Sequence, residues 1–398
     1  MPAIAVSQAE QSHAEPPVVE VARPHARKSI DETLRAIVAS TGLSPVKVMR
    51  DFVGLAMGRG RLAWADYVWL RLFDHAFWQG ADRQTVVGGQ RAAAIIQSIN
   101  YRPDWWGLAN NKIAAYSYLA AYGFPAIGPI AFYYDNLAAG SPQVLSNSEQ
   151  LRALLTNPEN FPMFGKPVES MQSLGSIALD CYVPERDALR TRDQRLVPVG
   201  LFIGQLKKDY PTGYVFQKLM SPHESIKRLC GDRLATVRIV TLSEDNHAKV
   251  FRTCWKIPSG PNTADNYWRK GNLLASLDAE GRVGHVFSGN GVDMAHHEHH
   301  PDSGALLTGF TVPYWQRMLD VVLEAARLMQ HIPLIGWDIA VLDTGPVIVE
   351  MNEFPDFLLP QFADTRGVLE PDFLAFIERQ RRKAALHKKD NVRIFKAM

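Results

Sequence analysis

The sequence has few cysteines. Three of its 398 residues are cysteine, namely Cys181, Cys230 and Cys254, and three thiols cannot all pair with each other. They are widely separated and lack the close spacing of a zinc site, which excludes a disulfide framework and a cysteine metal centre as organising features. We expect three small core residues in a protein of the reducing cytoplasm.

The sequence also lacks a large excess of charge of either sign and any long apolar run. Its 43 Lys and Arg residues against 41 Asp and Glu give a formal net charge of +2, which is far from the basic footprint of nucleic-acid binding. No segment approaches the roughly 20 apolar residues of a membrane-spanning helix. The first 28 residues lack the charged region and apolar run of a signal peptide, and we expect a disordered tail there.

The spacing of apolar residues changes along the chain. Between residues 29 and 107, stretches such as SPVKVMRDFVGLAM place apolar residues three and four apart, which indicates packed helices. From Pro162 onward, the runs FPMFGKPV, SIALDCYV, LVPVGLFIG and GYVFQKLM are rich in β-branched and aromatic residues, which indicates strands. A long amphipathic helix, YWQRMLDVVLEAARLMQ, follows later. The mixture predicts an α+β or α/β fold.

Three polar residues interrupt an otherwise apolar segment, IGWDIAVLDTGPVIVEMN. The runs WDIAVLD and PVIVEMN are typical of strands, and DTG between them predicts a three-residue hairpin loop whose glycine takes a positive φ. With that loop, Leu342 faces Pro346, and Asp338 lies directly across from Glu350 on one face. Asn352 points to the same face because side chains alternate along a strand.

This set of oxygen-bearing side chains predicts a cation site. Two ionised carboxylates about 5 Å apart on a sheet face repel each other, so the pair needs a compensating cation. Asp, Glu and Asn oxygens are ligands that Mg²⁺ prefers, with positions left open for substrate phosphates. An alternative interpretation is a strand end that carries three solvated polar residues.

Lys166 lies on a predicted strand before a stretch that contains Gly175 and Ser176. Such a stretch can cover a phosphate chain while the ammonium contacts it. Alternatively, Lys166 is a surface lysine of a strand.

GYVFQKLMSPHES predicts a strand followed by a turn and a helix. Its Leu219 and Met220 can hold a purine, and Glu224 can accept hydrogen bonds from ribose hydroxyls, or it is simply an acid at a helix start. Arg238 lies in an apolar strand and needs an anionic partner, either a structural carboxylate or a nucleotide phosphate.

In combination and order, these residues resemble the ATP-grasp superfamily, in particular its sugar-transfer-associated branch and, more distantly, D-alanine–D-alanine ligases. The resemblance spans Asn110 to Leu369. It implies an α+β fold in which two α+β subdomains grip a nucleotide, here with a helical N-terminal region. The most specific match is GWDIAVLDTGPVIVEMN, where the family binds two magnesium ions with the residues at Asp338, Glu350 and Asn352.

The resemblance also implies a nucleotide site. NNKIAAYSYLAAYGFPAIG resembles the segment of the family's first lysine, FGKPVESMQSLGS that of its second lysine and lid, FQKLMSPHE its adenine hinge, and LATVRIVTL the strand whose arginine meets the phosphates. The implied ATP-binding residues are Lys112, Lys166, Ser176, Gln217, Lys218, Leu219, Met220, Glu224, Arg238 and Asn272, with Lys166 and Arg238 as catalytic residues. Gln217 replaces the usual hinge acid, which softens the expected preference for adenine.

The implied activity is that of an ATP- and Mg²⁺-dependent ligase that joins a carboxylate to an amine through an acyl phosphate. The substrates would be small molecules, such as an amino acid, a peptide or an amino sugar, with neither a nucleic-acid partner nor a membrane span, and a homodimer is the default expectation. Two alternatives remain, a catalytically weak nucleotide-binding module that regulates or scaffolds glycan or peptide biosynthesis, and a metal-dependent kinase or phosphohydrolase.

The expected domain organisation has five parts: a tail over residues 1–28, a helical region over 29–107, a small ATP-grasp subdomain with the lid over 108–215, a large subdomain with the metal site over 216–385, and a basic tail over 386–398. The loop that contains His296, His297, His299 and His300 is interpreted as a mobile loop rather than a transition-metal site, because neighbouring loop histidines are not preorganised ligands.

Overall fold

The computed structural model describes Val19 and residues 29–135, 143–169 and 175–397, with side chains up to residue 388. Apart from Val19, the tail expected over residues 1–28 lies outside the described residues, as does the centre of the predicted lid, residues 170–174. Val19 itself is buried. Its backbone N–H and C=O groups pair with the side-chain amide of Gln205 at 3.2 and 3.1 Å.

The N-terminal region is helical, as predicted. Its helices are α1 (Ile30–Thr41), α2 (Pro45–Ala56), α3 (Trp64–Trp69), α4 (Gly89–Ile99), α5 (Pro103–Asn110) and α6 (Lys112–Ala121). Local signals set their ends: Ser29 and Glu32 form a capping box at the start of α1, and the Ser44 side chain caps α2 with Pro45 in its first turn.

The first sheet is built from β1 (Pro129–Tyr133), β2 (Val144–Leu145), β3 (Met163–Pro167), β4 (Ile177–Val183), β5 (Ala188–Thr191), β6 (Leu196–Pro198) and β7 (Tyr214–Lys218). Their order is β2-β1-β7-β3-β4-β5-β6, and β1 runs parallel to β2 while the other neighbours are antiparallel. Helices α7 (Ser148–Thr156) and α8 (Val199–Asp209) pack on it through Leu151, Leu155, Phe202 and Leu206.

The run LVPVGLFIG, expected as a strand, is mostly helix. Only Leu196–Pro198 is a strand, and α8 begins at Val199. The buried residues of α8 are Val199, Phe202, Ile203 and Leu206. Their spacing of three and four is that of a helix, but it extends beyond the short run from which the strand was predicted.

The second sheet is built from β8 (Thr236–Glu244), β9 (His247–Ile257), β10 (Leu273–Leu277), β11 (Val283–Ser288), β12 (Ala295–His296), β13 (Leu334–Leu342) and β14 (Gly345–Asn352). Their order is β12-β11-β10-β9-β8-β13-β14, with antiparallel neighbours throughout. Helices α9 (Glu224–Cys230), α10 (Trp315–Leu328) and α11 (Leu358–Asp364) belong to this part of the chain, and α10 buries Met318, Val322 and Ala325. The predicted α+β class is therefore confirmed.

Strands β13 and β14 form the predicted hairpin with a different loop. Leu342 pairs with Gly345, so the loop has two residues and the three-residue prediction is wrong. A β-bulge then shifts the register, because Val349 is the extra residue on β14. As a result, Asp338 still lies directly opposite Glu350.

The chain ends in a long helix, α12 (Pro371–Ala397), so the basic end expected as a tail from residue 386 is part of a helix. Phe373, Phe376 and Ile377 of α12 share a core cluster with Ile95 and Ile99 of α4. None of the described helices is long and apolar enough to cross a membrane. The predicted boundary between residues 215 and 216 falls inside β7, and the other boundaries stay predictions.

Candidate functional site

A cleft lies between the two sheets. It holds about 1050 Å³ of empty space, its opening to solvent included. One wall comes from the first sheet, through residues of β3, β4 and β7, and the other from β8, β9, β13 and β14. The N–H of Ile127 donates to Ile348 O, and Ile348 donates to Pro125 O, which ties the segment before β1 to the edge strand β14 and joins the two walls.

Positive charge exceeds negative charge in this cleft. The cationic residues that line it are Lys112, Lys166, Arg192, Lys218, Arg233 and Lys256, and the acidic ones are Asp232, Asp265, Asp338 and Glu350. Such an excess suits a polyanionic ligand.

Asp338 is held by two cations of the second sheet. The register of β8 and β13 places Arg238 directly opposite it, and the guanidinium donates to Oδ1 at 2.6 Å and to Oδ2 at 3.0 Å. The Lys256 ammonium lies 3.1 Å from Oδ2. Burial alone would raise the pKa of Asp338, but these two cations outweigh burial and hold the pKa well below its ordinary value.

Lys256 and Asp265 extend this network and were not identified from the sequence. Lys256 Nζ lies 3.8 Å from Asp265 Oδ1, and Asp265 Oδ2 accepts from the N–H and the hydroxyl of Thr236. Burial lowers the pKa of Lys256, but Asp265 and Asp338 outweigh it and the pKa lies above its ordinary value. The signal for Lys256 was available, since it is a cation in the apolar strand run RTCWKI, as Arg238 is in its own strand. No comparable pattern marks Asp265, which lies in a loop.

Lys112 bridges the helical region to the metal-binding candidates. It begins α6, whose N-terminus is capped by the Asn111 side chain. Its ammonium lies 3.3 Å from Glu350 Oε1 and donates to Val168 O at 3.3 Å. Burial lowers the pKa of Lys112, and the neighbouring Glu350 opposes that effect.

Lys166 approaches strand β14 from the first sheet. It lies on β3, and its ammonium is 5.4 Å from the centroid of the Tyr116 ring, within the range of a cation–π contact. The Tyr116 hydroxyl donates to Val349 O at 2.9 Å. Lys112 and Lys166 therefore both lie near strand β14.

The predicted adenine hinge forms an apolar wall of the cleft. Leu219 and Met220 line it together with Ile127. Gln217 is buried, and its side-chain amide donates to Ile127 O at 2.7 Å. That bond occupies the NH₂ group and leaves the amide oxygen as the acceptor, which is the orientation that recognition of an adenine amino group needs.

The lid segment is anchored at its C-terminal end. The Tyr214 hydroxyl donates to Gly175 O at 2.6 Å, and Gly175 has a φ of +76°, which favours glycine. Ser176 and Lys218 line the cleft.

Three of the predicted ATP-binding residues, Glu224, Arg238 and Asn272, are not among those that line the cleft. Glu224 begins α9, and its exposed carboxylate lies 3.8 Å from Arg228. Asn272 is buried, and its side chain accepts from Ser259 N–H and donates to the carbonyls of residues 264 and 266. Asn272 therefore holds a protein loop in place, and Arg238 likewise contacts Asp338 without itself lining the cleft.

An acid that was not predicted lies at the cleft edge. Asp232 lines the cleft, accepts from the Ser221 hydroxyl at 2.5 Å and pairs with Arg192 at 3.2 Å. It follows the short helix α9, which separates it in sequence from the hinge. The resemblance placed the acid at the start of α9, whereas the structure places an acid of the cleft just after its end.

The predicted magnesium ligands differ in how many of their lone pairs already contact other groups of the protein. A carboxylate offers about four lone-pair positions, and Asp338 uses three of them for Arg238 and Lys256. Glu350 lines the cleft, and Asn352 lies two residues further along β14, where its amide nitrogen donates to Gly336 O. Because Mg²⁺ is commonly held by one or two carboxylates together with substrate phosphates, this donor set fits the ion. Glu350, which also pairs with Lys112, and Asn352 stay candidate ligands.

The four histidines near residue 300 make separate contacts. His297 contacts the Ser288 hydroxyl at 2.8 Å, whereas His300 is buried and contacts Pro258 O at 2.9 Å. Among the described residues, no group of three or more His, Cys, Asp or Glu side chains is gathered around one point as a metal site.

Comparisons with known proteins give a family match over part of the chain. Residues 194–374 match the model of the family described as sugar-transfer associated ATP-grasp, a range that contains the hinge and both arms of the β13–β14 hairpin but neither Lys112 nor Lys166. No curated protein matches the sequence.

Several solved structures are similar to this chain at low identity. They include the D-alanine–D-alanine ligase from Coxiella burnetii (12% identity, 73% of this chain and 61% of that one, TM-score 0.41) and its counterpart from Bacillus anthracis (14%, 71% and 70%, TM-score 0.38). A biotin carboxylase from Campylobacter jejuni is another (10%, 69% and 46%, TM-score 0.41). The chain thus spans 61% of the Coxiella enzyme. Over residues 194–374, 181 of its 398 residues, this chain is similar to the sugar-transfer-associated branch of the ATP-grasp superfamily.

Proposed function

We propose that this protein is an ATP-dependent carboxylate–amine ligase. In the first step, a substrate carboxylate oxygen attacks the γ-phosphorus of ATP, the bond from that phosphorus to the β,γ-bridging oxygen breaks, and ADP leaves. In the second step, an amine attacks the carbonyl carbon of the acyl phosphate and loses a proton, inorganic phosphate leaves, and an amide forms.

The observation that carries this proposal is the charge of the cleft. Six cationic side chains and four acidic ones line it, and Lys112, Lys166 and Lys256 are themselves buried. Buried cations stabilise phosphate oxygens more strongly than exposed ones because water screens them less. An apolar wall of Leu219 and Met220 beside them supports a purine nucleotide rather than a simple anion.

The protein's own groups position and stabilise the reactants. Lys112 and Lys166 would contact the phosphate chain, and Lys256, held between Asp265 and Asp338, would contact developing charge from the opposite wall. A magnesium ion held by Glu350 and Asn352, with the remaining lone pair of Asp338, would neutralise charge on the transferring phosphoryl group. No protein nucleophile is needed, since the reaction requires alignment and exclusion of water.

The edge acid Asp232 is the residue that we assign to the nucleotide's sugar. It lines the cleft whereas Glu224 does not, and carboxylate oxygens accept hydrogen bonds from vicinal hydroxyls. Replacing Asp232 with Asn is expected to weaken ATP binding, while Glu224→Gln leaves it unchanged, as isothermal titration calorimetry would show. Equal losses in the two variants would contradict this assignment.

The activity is tested by ADP release in the presence of ATP and Mg²⁺. Pools of carboxylic acids are supplied with and without pools of amino acids, peptides and amino sugars, and we expect ADP release that requires both an acid and an amine. Mass spectrometry of the active pools would identify the amide. Lys166→Met should abolish release, and Lys208→Gln, which changes an exposed lysine of α8, should not.

Other outcomes identify the alternatives. ADP release without any acid would indicate a kinase or phosphohydrolase. ATP binding without release in any pool would indicate a regulatory or scaffold module. Failure to bind ATP at all would contradict the nucleotide site itself.

A further inference from the structure

One face of helix α2 is apolar and exposed. Val46, Met49, Val53 and Met57 follow the spacing i, i+3, i+7, i+11, which places them along one side of the helix. Val46 is 67% exposed, Val53 46% and Met57 84%. Pro45, Val46, Met49, Arg50 and Val53 together line a shallow surface depression. A contiguous apolar stripe of this kind marks an interaction surface more often than single exposed residues do.

The stripe adjoins a groove that is lined by arginines. Met57, at the C-terminal end of α2, also lines a groove between the segment after α2, helix α4 and helix α12. Its cationic residues are Arg59, Arg61, Arg91 and Arg381, and Asp82 is its only acid. Ile95, Leu369, Leu374 and Ile377 form the apolar part of its lining.

Among the described residues, the four arginines of the groove have no acidic partner. In the part of the chain that the structure describes, no ion pair involves Arg59, Arg61, Arg91 or Arg381, although arginines elsewhere in the chain pair with carboxylates. The Nε of Arg91 is also buried without a hydrogen-bond acceptor. The carboxylate of Asp82 accepts a hydrogen bond from the N–H of Gln84, so this acid also stabilises a local turn. The groove therefore carries an uncompensated charge of about +3 next to an apolar stripe.

We propose that this face docks on an anionic lipid bilayer. The apolar stripe of α2 would enter the boundary between headgroups and acyl chains, and the groove arginines would bind lipid phosphates. An apolar helix face flanked by Lys47, Arg50 and Arg59 is the pattern of a helix that lies in a membrane interface. Guanidinium groups bind phosphate bidentately while their alkyl stems cover apolar surface.

The charge distribution favours a lipid surface over a soluble phosphate ligand. A phosphate-specific pocket needs one enclosed anion position, whereas three of these arginines are exposed, and the apolar side chains of the stripe beside them offer a soluble anion no contact. Docking would bring the ATP-grasp cleft to a membrane surface without a membrane-spanning segment, which goes beyond the ligase activity and does not depend on it.

Vesicle co-sedimentation of the full chain tests this proposal. We expect binding to vesicles of phosphatidylcholine with phosphatidylglycerol, weak binding to phosphatidylcholine alone, and a fall in affinity as salt rises. Arg59→Gln and Arg381→Gln should each lower the partition coefficient about fivefold. Met57→Gln should lower binding to the anionic vesicles without changing its salt dependence, because it removes apolar contact rather than charge.

The matched controls are Arg282→Gln and Leu306→Gln, which change an arginine and a leucine exposed elsewhere and should bind as the wild type. Circular dichroism confirms that each variant is folded. The proposal is overturned if the chain does not bind anionic vesicles, or if the α2 and groove variants bind as well as the controls. It is also overturned if pyrophosphate binds the groove while anionic vesicles do not bind. Co-purification with an acidic protein and no vesicle binding would likewise reject the lipid surface.

Discussion

The Asp338 carboxylate determines whether two cations can be buried in the second sheet. Arg238 and Lys256 are both buried, and each contacts Asp338. An unpaired buried charge costs several kcal/mol, so the three groups are stable only as a set. The residue that the sequence marks as a metal ligand is therefore also a structural anion, and its substitution mixes two effects.

This double role gives a prediction for two carboxamide variants. Asp338→Asn should lower the free energy of unfolding by about 3–5 kcal/mol, because it leaves the buried Arg238 without its counter-charge and Lys256 with Asp265 alone. Glu350→Gln should lower it less, by about 1–2 kcal/mol, since the Glu350 side chain is 30% exposed and water partly screens its pair with the buried Lys112, yet it should still weaken Mg²⁺-dependent ADP release. Urea denaturation of both variants measures the difference. Equal destabilisation by the two changes would contradict the structural role of Asp338.

The pH dependence provides a second check on the same residue. Since the pKa of Asp338 is lowered in the folded state, its stabilisation is present above the ordinary carboxyl pKa of about 4 and is lost as pH falls through the lower folded value. The stability difference between wild type and Asp338→Asn should therefore shrink as pH falls from 5 towards 2. A difference that stays constant over this range would argue against the ion pairs.

At the residue scale, sequence reasoning was limited by charges in loops. Arg238, Asp338 and Glu350 were identified because each interrupts an apolar strand. The structure pairs Arg238 with Asp338 and places Glu350 opposite Asp338 on the neighbouring strand. Asp265 lies in a loop and Asp232 follows the short helix α9, so neither has a periodic pattern to mark it. Their positions depend on tertiary contacts with Lys256 and Arg192.

At the scale of elements, the β13–β14 hairpin shows how a correct pairing can follow from an incorrect loop. Period-two alternation and the carboxylate positions were readable, and Asp338 does pair with Glu350. The loop is one residue shorter than predicted, and the bulge at Val349 compensates. A bulge depends on sheet packing and leaves no clear mark in a single sequence, so the two compensating features were not predictable.

Gly345 gives a stability prediction for this hairpin. It has a φ of +122°, and a Cβ there would meet the Arg317 guanidinium at 2.7 Å. Gly345→Ala should therefore destabilise the protein by about 1–2 kcal/mol, because L residues rarely adopt this backbone conformation. Gly204→Ala is the matched control. Gly204 lies inside α8 with nothing within 4 Å of a built Cβ, and alanine should stabilise that helix by about 1 kcal/mol. Thermal unfolding that shows the same sign for both would contradict this account.

The C-terminal residue of α11 gives a prediction with a defined pH window. Burial raises the pKa of Asp364 to about 7, although Arg252 and Arg366 oppose it. Between about pH 4 and 7 the unfolded chain ionises this carboxyl while the folded chain keeps it protonated, so stability falls as pH rises through that window. Asp364→Asn should match the wild type near pH 4 and exceed its stability by about 2–4 kcal/mol at pH 8.

Chemical denaturation at the two pH values measures this effect. Asp320→Asn changes an exposed aspartate of α10 and should leave the pH profile unchanged. If Asp364→Asn gives the same increment at pH 4 and pH 8, the carboxyl does not titrate in the proposed window.

At the scale of the whole molecule, the fold class was predictable and the arrangement of its parts was only partly so. Apolar periodicity and the family motifs predicted helices followed by two sheet-bearing subdomains. The exposed stripe of α2 and the arginine groove, by contrast, combine residues from α2, α4 and α12 that are more than 300 positions apart in sequence. Amphipathic spacing was visible in α2, but which of its faces stays uncovered depends on how the helices pack.

The last prediction concerns the contacts that residues of both sheets make with one nucleotide. Lys166 belongs to the first sheet and Lys256 to the second, and both line the cleft, so each should contribute to ATP binding from its own side. Lys166→Gln should weaken ATP binding by about tenfold or more, in line with the loss of one buried charge-assisted contact. Lys208→Gln, on the exposed face of α8, should bind as the wild type. Isothermal titration calorimetry measures both, and ATP should raise the thermal midpoint of the wild type by an amount that grows with the logarithm of the ratio of the ATP concentration to Kd. Wild-type affinity in folded Lys166→Gln would mean that the first sheet does not contact the phosphates, and that the cleft binds a different ligand.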